Sequence, residues 1–313
     1  MRRTPRILAA ASAALALVVG LGGCGGTAPP TSPAPATSTP TDTFPVTVGP
    51  LTLTKRPERI VVLSPSLTET VFAVDAGPQV VAVDDLSNYP ANAPKTDLSA
   101  FKPNAEAIAK QQPDLVLLSN DLDNVVSQLR VLNIPTMLLP YAKNLDEAYQ
   151  QILDVGTLTG HSAASKALVE RMRTDIGDLV AELPRRDRNL TYYYELDATS
   201  FYSVTSNTFV GSLFAMTALV NIADPAGKDG NDFPQLSAEY IVKANPDLIF
   251  LANSKCCGQS WDTVSKRPGW AEISAVKNRQ VITLDDDIAS RWGPRVVDLL
   301  RAITKAVAEA PVG

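Results

Sequence analysis

Two segments of this chain, which begin at residues 105 and 238 and are therefore 133 residues apart, share one pattern. Residues 105–120 read AEAIAKQQPDLVLLSN and residues 238–253 read AEYIVKANPDLIFLAN, with nine of 16 positions identical. Each copy predicts a short helix, a break at the proline and a buried apolar strand. A helix-to-strand joint can recur by chance, but matched Glu, Pro and Asp positions favour duplication of a lobe.

Short apolar runs alternate with longer helical patterns around the two copies. The predicted strands are 59–63, 80–83, 115–119, 136–140, 192–196, 248–252 and 281–284. The predicted helices include 67–75, 122–132, 208–219 and 294–308. Such alternation predicts an α/β fold with mostly parallel sheets that are covered on both faces.

A long helix is predicted between the two halves. Ser162 is suited to cap it, and apolar residues recur at helical spacing as far as Leu183. Twenty-two residues would span roughly 33 Å, enough to connect two lobes, although a helix packed within one lobe would show the same apolar stripe. We therefore predict an N-terminal lobe at 46–160, a connecting helix at 161–184 and a C-terminal lobe at 185–313.

The first 24 residues indicate export. Three arginines precede 17 uncharged, mostly apolar residues from 7 to 23, which is typical of a signal peptide and short for a membrane-spanning helix. The sequence Leu21-Gly22-Gly23-Cys24 resembles a bacterial lipoprotein box, in which Cys24 is acylated and becomes the first mature residue. We therefore expect a signal peptide at 1–23 and a lipid-anchored protein on the extracytoplasmic face of the cell membrane.

A tether is predicted to follow Cys24. Between residues 25 and 45, 14 of 21 residues are Pro, Thr or Ser, and the only charged one is Asp42. A segment of this composition cannot bury enough apolar surface to fold. Residues 24–45 are therefore predicted to be a lipidated cysteine followed by a disordered linker.

Charge and histidine content exclude several classes of function. Lys and Arg total 28 against 33 Asp and Glu, and this net charge of -5 argues against nucleic acid as a partner. The one histidine, His161, excludes metal sites with two or three histidines within the chain. It also leaves any Ser-His-Asp triad a single candidate base. We predict no cofactor and no metal bound directly by the protein.

Five motifs occur in an order that is typical of one family. They are RIVVLSPSLTET at 59–70, SNYP at 87–90, NAEAIAKQQPDLVL at 104–117, FPQLSAEYIVKANPDLIF at 233–250 and DDDIASRWGPR at 285–295. With them, residues 58–313 resemble the cobalamin and ferric-siderophore binding proteins of bacterial ABC importers. The resemblance implies two α/β lobes joined by one long backbone helix, with the ligand in the cleft between the lobes. It implies a monomer that performs no covalent chemistry, captures a corrinoid or ferric siderophore and docks on the importer's permease dimer.

The resemblance also assigns a role to two glutamates of the repeat. In that family, a glutamate on each lobe pairs with arginines of the membrane subunits, and Glu106 and Glu239 occupy these positions. Two carboxylates on pseudo-symmetric surfaces suit a two-fold membrane dimer, because arginine binds a carboxylate with two parallel hydrogen bonds. Alternatively, each acid simply favours the first turn of its helix.

Candidate ligand-binding residues follow from the rule that ligands bind beyond the carboxyl ends of the strands in an open α/β lobe. They are Ser64, Pro65, Tyr89, Phe101, Asn120, Tyr202, Phe233, Trp261, Asp287, Arg291 and Trp292. The aromatic residues among them suit a large planar or macrocyclic ligand, although any of them could instead be core. Asp287 and Arg291 match a family segment near the ligand, or they could pair with each other, and Arg295 is expected to be structural.

The charge of the candidate cleft narrows the choice of ligand. Only one or two arginines lie in the candidate cleft, which favours a neutral ligand such as cobalamin or a hydroxamate complex over an anionic siderophore. Haem is an alternative ligand, because a tyrosine can bind haem iron. If the side chains of Tyr192, Tyr193 and Tyr194 alternate between core and surface, at least one of them faces outward. An exported hydrolase is the alternative from another class. Its only signals are S-x-x-K matches at 99–102 and 274–277, which lack the accompanying motifs.

Cys256 and Cys257 are adjacent in the sequence KCCGQSW. Outside the cytoplasmic membrane thiols tend to oxidise, and Gly258 permits the turn that a vicinal disulfide needs. Adjacent Cα atoms lie closer than is usual for a disulfide, so two free thiols are the alternative. Metal binding is less favoured, because no histidine or further cysteine is at hand.

Overall fold

The computed structural model describes residues 42–311. The predicted signal peptide, Cys24 and most of the predicted tether lie outside the described residues. Within 42–311, none of the helices is both long enough and apolar enough to pass through a bilayer.

The described residues form eleven strands and twelve α-helices. The strands are β1 Val46–Val48, β2 Leu51–Leu53, β3 Ile60–Leu63, β4 Val80–Asp84, β5 Lys95–Leu98, β6 Leu115–Leu118, β7 Thr136–Leu138, β8 Thr191–Glu195, β9 Val220–Asn221, β10 Leu248–Leu251 and β11 Val281–Thr283. The helices are α1 Pro65–Ala73, α2 Ala105–Ala109, α3 Val125–Val131, α4 Leu145–Thr159, α5 Ser162–Ala181, α6 Phe209–Ala215, α7 Ala238–Ala244, α8 Ser254–Cys257, α9 Trp261–Ser265, α10 Ser274–Lys277, α11 Asp286–Ala289 and α12 Val296–Glu309.

Two parallel sheets form the two lobes. The first has the strand order β5-β4-β3-β6-β7 and the second has the order β11-β10-β8-β9. Read from the other edge, the order β9-β8-β10-β11 of the second sheet corresponds to β4-β3-β6-β7 of the first. In the sequence repeat, α2 and β6 of the first lobe correspond to α7 and β10 of the second. The predicted α/β fold with two mostly parallel lobes is confirmed, and all seven predicted strands are present. The strands β1, β2, β5 and β9 were not predicted, because they are partly exposed and do not form apolar runs.

Tyrosines in β8 differ from the prediction. Tyr192, Tyr193 and Tyr194 are all fully buried, so the expectation that they alternate between core and surface is wrong. Tyr192 and Tyr194 belong to one core cluster and Tyr193 to another, on opposite sides of the sheet. The reason is that helices cover both faces of a parallel sheet, which leaves no exposed side for alternate residues.

The connecting helix α5 runs from Ser162 to Ala181, close to the predicted bounds. It packs against α4 of the first lobe and against α12 of the second, which confirms a connector rather than a helix of one lobe. Ser162 does not cap it as predicted. Instead, the Ser162 N–H donates to the carboxylate of Asp42 at 2.8 Å, and Phe44 packs against the core. The predicted disorder therefore extends too far, because residues 42–45 already lie on the body of the protein.

The repeated Pro-Asp step has a structural explanation. In the first lobe, the Asp114 carboxylate accepts the backbone N–H groups of Glu58 and Arg59, at the start of β3. In the second lobe, Asp247 accepts the N–H and the hydroxyl of Thr191 at 2.8 and 3.0 Å, at the start of β8. Each aspartate thus fixes the register between the two central strands of its lobe.

Replacing Asp247 by alanine is expected to lower the free energy of unfolding by about 1–3 kcal/mol, because a half-buried set of hydrogen bonds to a carboxylate is lost. Burial alone would raise the pKa of Asp247, but bonds from Arg188 and Thr191 bring it below its usual value of 3.8. Since a lowered pKa contributes its full stability only above the unfolded value, this contribution should begin to fall below about pH 4 and should be lost as the pH passes through the lowered pKa of the folded state. Urea unfolding of both proteins at pH 7 and pH 3 measures it, and a difference in unfolding free energy that is as large at pH 3 as at pH 7 would contradict the explanation.

Candidate ligand-binding cleft

A cavity of about 520 Å³ lies between the lobes. Its first wall comes from the ends of β3, β4 and β6 and from the loop after β7, and its second wall comes from α11 and the segment that follows. The strand-end rule therefore predicted the location of the cavity. Seven of the predicted residues line it, namely Ser64, Pro65, Phe101, Asn120, Asp287, Arg291 and Trp292.

Local sequence explains the first wall. Ser64 follows β3 and caps α1, its hydroxyl accepting the Leu67 N–H at 3.5 Å, and Pro65 occupies the first helical position, where no N–H is needed. Ser119 and Asn120 follow β6 directly, so their side chains emerge at the same edge. Phe101 is 64% exposed and stands at the rim of the cavity.

Four of the predicted residues do not line this cavity. Tyr89 lies beside it, with the Arg295 guanidinium 4.2 Å from the centre of its ring. Tyr202 pairs with Gln235 in an isolated β-bridge, and both Tyr202 and Phe233 are exposed. Trp261 packs away from the cavity, in the second lobe. Its indole N–H donates to the Val276 carbonyl at 3.0 Å, which leaves its ring as core and not as a cleft surface.

The two terminal nitrogens of Arg291 are bonded to protein groups. Its guanidinium donates to Glu69 at 2.7 Å, to Asp287 at 2.7 Å, to Asn88 at 2.9 Å and to the Leu86 carbonyl at 3.3 Å. The side chain is only 8% exposed. The alternative pairing of Asp287 with Arg291 is thus the arrangement in the structure, and the arginine connects the two lobes.

Asp287 is held as a carboxylate at the cavity wall. Burial alone would raise its pKa, but bonds from Asn88 and Lys255 and the charge of Arg291 lower the pKa below its usual value. Asn88 belongs to the first lobe and donates to Asp287 at 3.0 Å. With Asp85 also on the wall, the cavity carries more negative than positive charge.

Glu69 is a central residue that sequence reasoning missed. It lies in α1 with 1% of its side chain exposed, and it accepts bonds from both Arg291 and Arg295. Gly293, between the two arginines, passes so close to α1 that a Cβ there would lie 3.1 Å from the Ser66 carbonyl oxygen. The sequence signal that could have indicated Glu69 was the presence of an acid on the buried face of the helix LTETVFA.

Tyr141 was also missed. Its hydroxyl accepts the Phe209 N–H of the second lobe at 3.0 Å, and its ring meets that of Trp292 edge-on at 5.1 Å. Trp292 in turn donates its indole N–H to Gln151 of the first lobe at 2.9 Å. Because Tyr141 lies just beyond β7, the strand-end rule applied to that strand would have found it.

The three tyrosines of β8 offer no ligand for haem iron. Each phenol is buried in the second lobe, and burial raises the pKa of all three well above the usual value. No cluster of three or more His, Cys, Asp or Glu side chains suited to a metal ion occurs in the described part of the chain. His161 lies outside the cavity, bonded to Arg56 and Gln79, and burial together with the Arg56 charge lowers its pKa.

Glu106 and Glu239 occupy equivalent positions on the two lobes. Each is exposed and lies in the first turn of its helix, after a capping Asn104 or Ser237. Neither carboxylate forms an ion pair with any residue from 42 to 311. Bonds from its own backbone N–H and from Ser237 lower the pKa of Glu239, so it is ionised at neutral pH. The two helices thus present similar acidic ends on both lobes.

Comparison with known proteins agrees with this architecture. A model of the periplasmic binding protein family matches residues 60–288. YvrC, an uncharacterized ABC transporter substrate-binding lipoprotein of Bacillus subtilis, is 29% identical over 281 residues, covering 85% of this chain and 87% of YvrC. A cobalamin-binding protein of Halobacterium salinarum is 31% identical over 265 residues, covering 82% of this chain and 71% of that protein.

Solved structures give the same result. A possible iron-binding, periplasmic solute-binding protein from Staphylococcus epidermidis superposes with a TM-score of 0.70 at 26% identity, covering 81% of this chain and 99% of that one. The family match extends over most of the chain and includes the parallel sheets of both lobes. With its two pseudo-symmetric α/β lobes and single connecting helix, the chain belongs to the periplasmic binding protein family.

Proposed function

We propose that this chain is the substrate-binding protein of an ABC importer, anchored by a lipid on Cys24 at the extracytoplasmic face of the membrane. It captures a metal chelate between its lobes and delivers it to the permease dimer through Glu106 and Glu239. The names of the two relatives, a substrate-binding lipoprotein and a cobalamin-binding protein, support this role. The chain binds its ligand without covalent chemistry.

The state of Arg291 carries the proposal for the ligand. Two carboxylates, Glu69 and Asp287, already neutralise this guanidinium, so it has no free charge for an anionic ligand. A catecholate siderophore or the propionates of haem would meet Asp85 on the cavity wall and would find the lining cation, Arg291, already paired with carboxylates. A neutral corrinoid fits better, because its amides can bond with Asn120 and Ser119 and its face can lie on aromatic rings.

A hydrolase is not supported by this cleft. The lining of the cavity includes four serines, Ser64, Ser66, Ser119 and Ser290, but no histidine, and His161 lies elsewhere with its ring nitrogen bonded to Arg56. Nucleophilic catalysis by serine needs an adjacent base to remove the hydroxyl proton. The second candidate for the ligand is therefore another chelate, a ferric hydroxamate siderophore, and not an acyl substrate.

Calorimetric titration of the purified full chain with hydroxocobalamin, ferrioxamine and haemin tests the ligand. We expect hydroxocobalamin to bind at micromolar concentration or better, ferrioxamine more weakly and haemin not at all. Failure of all three would contradict a chelate in this cleft.

Two exposed phenylalanines provide a matched comparison. Phe101→Ala should weaken binding about tenfold, because an aromatic anchor in a ligand site contributes more than 1 kcal/mol. Phe233→Ala, also more than half exposed but outside the cavity, should leave the affinity unchanged. Equal losses in the two variants, measured by the same titration, would argue against binding in the cavity between the lobes.

A further inference from the structure

We propose that Cys256 and Cys257 form a thiol–disulfide exchange site, through which a dithiol reductant loosens one wall of the cleft. The site lies outside the cavity, and only its effect on ligand affinity rests on the proposed function. Three observations support it: the exposure of the pair, the bonds that hold α8 to α11, and the contact from Lys255 to the cavity wall.

The pair is open to solvent. Both cysteines are exposed at the end of α8, which follows β10 at the edge of the sheet that faces the cleft. Their sulfur atoms are joined as a vicinal disulfide, and Gly258 ends the helix at φ +64°, a backbone conformation that glycine adopts without strain. Exposed disulfides are the ones that exchange readily with thiols, whereas buried structural ones resist reduction.

One carboxylate ties α8 to the cleft wall. Asp286 accepts the backbone N–H groups of Ser254, Lys255 and Cys256 at 2.8, 3.0 and 2.8 Å. Asp286 is the first residue of α11, and its neighbour Asp287 lines the cavity. A change of backbone conformation at Cys256 therefore acts directly on α11.

A second connection runs through Lys255. Its ammonium group bonds to Asp285 at 2.7 Å and to Asp287 at 3.1 Å. Asp287 also accepts from Asn88 of the first lobe, so a chain of contacts leads from the cysteine pair to the opposite wall. Lys255 stays in reach of both aspartates only while α8 keeps its conformation.

The exchange reaction conserves atoms and electrons. One thiolate of the reductant attacks a sulfur of the pair and forms a mixed disulfide, and its second thiol then displaces the protein thiolate. The two cysteines gain two electrons and two protons, and the reductant becomes a cyclic disulfide. Reduction frees backbone dihedrals that the small disulfide ring had restricted, which raises the entropy cost of keeping α8 folded.

Hydrogen exchange with dithiothreitol as the probe tests the proposal. The protein is the full chain with Cys24→Ser, so that every counted thiol comes from the pair. We expect no free thiol before reduction and two afterwards. Amides of residues 254–256 and of α11 should then exchange about tenfold faster. Two free thiols before reduction, or unchanged amide exchange after it, would overturn the proposal.

A serine variant supplies the second arm. Cys256→Ser combined with Cys257→Ser should exchange rapidly without reductant and should not respond to dithiothreitol. It should bind hydroxocobalamin about fivefold more weakly than the Cys24→Ser protein. Both affinities are measured without dithiothreitol, so that no reductant can react with the cobalt of the ligand. Slow exchange in this variant, or equal affinities, would refute the coupling to the cleft. If neither protein binds hydroxocobalamin, the thiol and exchange results still decide the proposal, and only the proposed ligand is contradicted.

Discussion

Glu69→Ala is expected to lower the free energy of unfolding by about 3–5 kcal/mol, because it leaves Arg295 without a counter-charge and leaves the buried Arg291 with Asp287 as its one remaining carboxylate partner. Glu69 is 1% exposed, and Arg291 and Arg295 are 8% and 17% exposed, so water screens their repulsion poorly. Since the glutamate belongs to one lobe and both arginines belong to the other, the loss should also loosen the lobe contact. Urea unfolding followed by circular dichroism measures the first effect.

Two further variants make this result specific. Glu69→Gln keeps the shape of the side chain and removes its charge, so a loss close to that of alanine would assign the effect to electrostatics. Glu170→Ala removes an exposed carboxylate of α5 and should change stability by less than about 0.5 kcal/mol. A loss below about 1 kcal/mol for Glu69→Ala would mean that the buried pairs do not hold the lobes together.

Reversing the charges of the two proposed docking glutamates is expected to reduce uptake strongly. The double variant Glu106→Lys and Glu239→Lys should reduce transport by about a hundredfold or more, since a loss of about 1.4 kcal/mol at each site of a charge-paired interface is a factor of ten. Each single variant should lose about tenfold if the sites act independently. The measurement is uptake of labelled cobalamin by cells whose only copy of this chain carries the substitutions.

The control for docking is another acid at the start of a helix. Asp146 lies exposed in the first turn of α4, where it interacts with the helix dipole as Glu106 and Glu239 do. Asp146→Lys should cost similar stability and leave uptake intact. The double glutamate variant must also retain ligand affinity in calorimetry. Full uptake by the double variant would leave the helix dipole as the only role of these glutamates.

The fold was largely predictable because its main elements carry strong local patterns. The strands of a parallel sheet are buried on both faces, so they read as apolar runs such as IVVL and LIFL. The internal repeat indicated the second lobe, and the helical spacing of apolar residues in α5 indicated the connecting helix. Capping was less predictable, because the partner of the Ser162 N–H is Asp42, which is 120 residues away and in a segment with the composition of a linker.

The site was predictable only in part. The strand-end rule locates loops, and it therefore found Ser64, Asn120 and Trp292, but it does not give the direction of a side chain. Trp261 was included because its loop follows β10, yet its indole turns into the second lobe. Glu69 escaped because an acid in an apolar helix is explained only by its partners, which lie more than 220 residues away.

Tyr141 and Trp292 each have two structural roles, and this combination limits how the cavity can change in evolution. Both line the cavity, and both also bridge the lobes through Phe209 and Gln151. A substitution that adapts either ring to a different chelate also alters how firmly the two halves adhere. Diversification of cargo in this scaffold should therefore begin at positions such as Phe101 and Asn120, which can vary without weakening the contact between the lobes.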